Sequence, residues 1–186
     1  MTEYLGDRRK ALEESFFAKH EQKLREEIRA EKEKEDGMKA LAANCGVTDA
    51  GVLEALVNAG IEPETLPALT LLPLVVVAWA DGSVDPKERK AVLEAAEGAG
   101  ISKSDAPYAL LNAWLEVRPP ENFMDAWEGY AGELRDILDE KQRESVRRDI
   151  VERARSVADA AGGVLGLGSR ISRDEKEVLK RIEAAL

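Results

Sequence analysis

Two segments eighty residues apart follow the same local pattern, and this repetition constrains the fold more than any other feature of the chain. Val77-Ala78-Trp79-Ala80-Asp81-Gly82 precedes Val84-Asp85-Pro86-Lys87-Glu88, and Val157-Ala158-Asp159-Ala160-Ala161-Gly162 precedes Ile171-Ser172-Arg173-Asp174-Glu175 after a loop seven residues longer. In each, an apolar helix stops at a glycine, a β-branched residue follows, and a new helix opens with D-x-x-E or S-x-x-E. That spacing forms a capping box, in which the cap side chain accepts from an early helical amide while the later carboxylate reaches back to the cap amide. Pro86 at the first helical position agrees, because its missing N–H has no helical partner there in any case. Two helix-turn-helix units related in this way predict a pseudo-symmetric helical core.

The rest of the chain reads the same way, with no run of strand-like alternation, so the predicted fold class is all-α. Residues 1–36 form a charged arm, with 11 acidic and 9 basic residues, dense in charge yet almost neutral. Such a segment is expected to be an exposed helix with i,i+4 pairs, for example Glu21 with Arg25. Asp7 is the expected N-cap and Gly37 the expected stop. The apolar positions Leu12, Phe16, Phe17, Leu24 and Ile28 make a thin stripe along it. Residues 37–64 form a small helical region, with a helix capped by Thr48 and stopped at Gly60. Residues 65–186 form the main helical domain. Within it Leu66–Ala80 is apolar all round, as a central helix would be, and Pro73 kinks or restarts it. Further helices are expected over 85–99, 104–116, 122–138, 142–161 and 172–186.

Composition narrows the function classes. With 27 Lys+Arg against 37 Asp+Glu, the net charge of −10 leaves no general basic surface for nucleic acid or for anionic lipid. A single cysteine, Cys45, excludes an internal disulfide and a cysteine-rich zinc site. The first ten residues lack an apolar signal core, and the longest uncharged run, Thr65–Ala80, is too short for a membrane span. A cytoplasmic location is the expectation.

The stretch A-W-A-D-G-S-V-D-P-K-E, Ala78 to Glu88, followed by an apolar helix and by a second such unit near the C-terminus, resembles the TerB-like family, named for tellurite resistance. The resemblance covers residues 65–186. It implies a compact all-helical bundle, an acidic cluster at the two helix junctions that binds a divalent cation, and a role in stress-linked or membrane-associated assemblies. The first junction keeps Asp81, Asp85 and Glu88. At the second, Ala161 and Ser172 stand where the first has Asp81 and Asp85, and only Glu175 remains. The segment D-R-R-K-A-L-E-E-S-F-F, Asp7 to Phe17, also resembles, over a short stretch, the start of the zeta-type inhibitor of bacterial ATP synthase.

Asp81, Asp85 and Glu88 admit two readings. Three carboxylates within eight residues supply part of an oxygen cage for calcium or magnesium. Equally, Asp85 and Glu88 cap a helix while Asp81 sits in a turn. Gly163-x4-Gly168 has the spacing of a phosphate-binding loop, but Ser169 stands at the lysine position and no strand precedes it, which favours a simple connection. His20 is expected on the solvated arm, Cys45 in the core, and Trp79, Trp114 and Trp127 on apolar helix faces. Phe16, Phe17, Leu24 and Ile28 either dock on the body or meet a partner. The favoured function is a non-catalytic interaction or regulatory module with a protein partner and no cofactor. The alternatives are a cation-binding module built on the acidic junction and an ATP synthase inhibitor acting through the arm.

Overall fold

The computed structural model describes residues 2–161 and 171–186, and among these it contains nine helices and no strand. In chain order they are α1 (Thr2–Cys45), α2 (Ala50–Asn58), α3 (Leu66–Thr70), α4 (Leu72–Ala78), α5 (Pro86–Gly98), α6 (Ala106–Glu116), α7 (Asn122–Ile137), α8 (Glu140–Ala161) and α9 (Arg173–Ala185). The protein is all-α, as the periodicity indicates.

α4 is the hub. Leu72, Leu74, Val75 and Val77 are fully buried, and the helix packs against α5, α6, α7, α8 and α9. A helix apolar on every side needs neighbours on every side, and here it has them. Pro73 restarts the chain rather than bending one long helix: Leu71 ends α3 and begins α4, with Pro73 in the first turn. Around this hub α5 packs on α8 and α6, and α7 packs on α2 and α9. One continuous core runs from Leu41 and Val47 through Leu111 and Trp127 to Leu179 and Ile182.

α1 differs from the sequence expectation at both ends. It includes the whole of 2–45, so Asp7 lies inside the helix rather than capping it, and Gly37 is passed through rather than ending it. The physical reason at Gly37 is packing. The chain there faces α2, where a Cβ on Gly37 would lie 3.4 Å from Val57 Cγ2, and the following Met38, Leu41, Ala42 and Cys45 join the core. Burial on α2 outweighs the modest helix penalty of one glycine. The turn comes instead at Gly46, in the left-handed region at φ 72°. The cap of α2 is Asp49, which accepts from the Val52 amide at 2.9 Å, and not Thr48. α6 begins at Ala106, two residues later than expected, with Asp105 at the N-cap position.

Candidate functional site

The acidic junction is built by two capping boxes. At the start of α5 the Lys87 amide donates to Asp85 Oδ1 at 2.7 Å, and the Asp85 amide donates to Glu88 Oε2 at 2.8 Å. At the start of α9 the Glu175 amide donates to Ser172 Oγ at 3.1 Å, and the Ser172 amide donates to Glu175 Oε2. Both boxes are those expected from the D-x-x-E and S-x-x-E spacing. Asp81 sits in the preceding turn, where Gly82 takes φ 96° and the Ser83 amide donates to Asp81 Oδ1 at 3.1 Å.

Burial distinguishes the two glutamates from ordinary caps. Glu88 and Glu175 are the two buried charged residues of the described chain, 2% and 5% exposed. Desolvation pushes the Glu88 carboxyl up to about 7; the Asp85 amide opposes this, while the charges of Asp81, Glu175 and Asp85 add to it. The influence of Glu175 on Glu88 brings the two halves of the sequence repeat together in one electrostatic site. Asp81 and Asp85 stay exposed at its rim.

Asp81, Asp85 and Glu88 each accept from a loop or cap amide, and among the described residues no three His, Cys, Asp or Glu side chains are grouped to hold an ion. What the arrangement can do is exchange one proton near neutral pH at Glu88. The glycine-rich segment 162–169, with its phosphate-loop spacing, lies outside the described residues.

The second candidate is the outer part of α1. Its last third is anchored on α2 by the apolar contacts above and by Lys34 Nζ, 2.6 Å from Glu54 Oε1. Ahead of that anchor Arg25 pairs with Glu21 and Arg29 with Glu33, each at 2.7 Å between i,i+4 neighbours. Phe17, Leu24 and Ile28 are exposed, by 67%, 49% and 61%. The Phe16 side chain lies outside the described residues. His20 is exposed on the same helix and Cys45 is half-buried at its end, twenty-five residues on, or about 37 Å along the axis. They do not form a dyad.

Trp114 and Trp127 are core residues, and Trp79 is half-buried with its indole N–H donated to the Trp114 carbonyl at 2.8 Å. Sequence reasoning missed the ionic ties between helices. Arg181 of α9 binds Asp125 and Glu128 of α7, and Arg89 of α5 binds Asn112 and Glu116 of α6. No short-range signal marks such pairs, because their members are 23 to 56 residues apart. No family model matches the chain, and no curated protein or solved structure does either.

Proposed function

We propose that the chain is a non-catalytic interaction module of TerB-like type, cytoplasmic, that engages a protein partner through the outer part of α1. The observation that carries this reading is the exposure of Leu24 and Ile28 on a helix whose last third is anchored on α2. A long helix with few tertiary contacts is marginal in water, so a partner that covers the stripe gains apolar burial and orders the helix at once. The near-neutral arm also lets a partner approach without the repulsion that the net charge of −10 imposes elsewhere. The test is capture with the full-length chain from its own cells. A discrete partner held by the wild type and lost by L24E/I28E, with unchanged melting, supports the reading; retention by the double variant overturns it. The zeta-type resemblance names one specific partner, a rotary ATPase, and inhibition of the purified enzyme by the full chain tests that.

A second reading rests on the crowding of Glu88 by Asp81, Glu175 and Asp85. A divalent cation would relieve that repulsion by displacing a proton and the cap bonds. A midpoint raised by calcium or magnesium and lost in Asp81→Ala supports it. An unchanged midpoint leaves these carboxylates as caps.

A further inference from the structure

A cavity of about 250 Å³ opens between α7, α8 and the turn that joins α3 to α4. Its wall is apolar, formed by Trp127, Tyr130, Leu134 and Ile150 among others, and its mouth carries Asp149 and Arg153. The space is apolar, open to solvent on one side and close to the lower end of the volumes that small-molecule sites occupy. One polar group at it has donors to spare. Arg153 is half-buried, and among the described residues its guanidinium reaches the Ala95 carbonyl at 3.3 Å and Asp149 at 3.9 Å. A guanidinium offers five donors in a planar fork that matches a carboxylate. Both present contacts are long, and Asp149 is itself mostly solvated, so an incoming carboxylate can take the fork without stranding a buried charge.

From this geometry we infer that the cavity binds a medium-chain carboxylic acid, its chain against Trp127, Leu134 and Ile150 and its carboxylate on Arg153. The dimensions suit a chain of roughly eight carbons, since a cavity of about 150 Å³ already accepts benzene. A single negative charge is favoured over a phosphate dianion because Asp149 stands beside Arg153 and the whole chain is acidic. A cationic head would meet Asp149 only on the solvent side, and would leave Arg153 facing it.

The test is titration of the full-length protein with octanoate, octanol and octylamine, followed by calorimetry and by amide shifts in the NMR spectrum. Octanoate is expected to saturate at one per chain, to shift amides of α7 and α8, and to raise the melting midpoint. Octanol and octylamine should bind about tenfold more weakly, and Arg153→Gln should weaken octanoate by at least about the same factor. Ile150→Phe, which fills the cavity with apolar volume, should abolish binding while leaving the fold intact. Equal affinity for all three heads, or octanoate binding undiminished in Arg153→Gln, overturns the assignment of the carboxylate. Failure of octanoate to saturate, or binding undiminished in Ile150→Phe, overturns the site.

Discussion

At the scale of single residues, Glu88 gives the fold a contribution to stability that depends on pH. Its carboxyl is raised to about 7 from an ordinary value of 4.5, so the folded state holds this proton more tightly than the unfolded one. Stability from this group is therefore full below about pH 4.5, falls as pH rises toward 7, and is level above it; the whole change is on the order of 3 kcal/mol. Glu88→Gln keeps an acceptor for the Asp85 amide and removes the charge. It is expected to raise the melting midpoint at pH 8 and to flatten its fall between pH 5 and pH 7, which thermal unfolding across that range checks. An unaltered slope would mean that another group is responsible. The capping role of Glu88 was legible in the sequence because it is local, three residues from its partner. Its burial beside Glu175 was not, since that contact depends on how helices eighty-seven residues apart pack.

At the scale of elements, two glycines within helices separate what is local from what is not. Gly37 in α1 has room, with a Cβ meeting Val57 at ordinary contact distance, whereas at Gly129 in α7 a Cβ would lie 3.0 Å from Val52 Cγ2. Gly37→Ala is expected to stabilise by roughly 0.5–1 kcal/mol, through the helix propensity that alanine restores. Gly129→Ala is expected to destabilise, because α2 and α7 must part to admit the methyl group. Chemical denaturation of both variants checks the pair. Read from the sequence alone, Gly37 looks like a stop, and only the apolar face of α2 reveals why the helix continues. The start of α8 carries a local signal of its own. Asp139 and Gln142 exchange reciprocal backbone-to-side-chain bonds of 2.8 and 3.0 Å, a D-x-x-Q version of the capping box that places the helix start before Gln142. Asp139→Ala should cost about 1 kcal/mol.

At the scale of the whole molecule, the chain divides its apolar residues unequally. The body gathers most of them around α4, with α5 to α9 covering it and Val117 and Ile137 left exposed singly, while α1 carries Phe17, Leu24 and Ile28 exposed on one helix about 66 Å long. The all-α class, the hub helix and both junction caps follow from periodicity and capping chemistry. The inter-helix ion pairs, the cavity under Trp127 and the continuity of α1 arise from tertiary packing, which spacing does not encode. The unequal distribution is the basis for reading the arm as the working surface and the body as its mount. It predicts that hydrogen exchange over residues 17–30 is fast in the isolated protein and slows when a partner is bound, while exchange in α4 does not change.

The most direct test places a photo-crosslinking side chain at Leu24, Ile28 or, on the opposite face of the same helix, Glu26, in the full-length chain within its own cells. If the stripe is a partner surface, irradiation yields a discrete adduct with one other protein from positions 24 and 28 and little from position 26. Adducts of equal yield from all three positions, or none from any, would contradict a partner-binding arm.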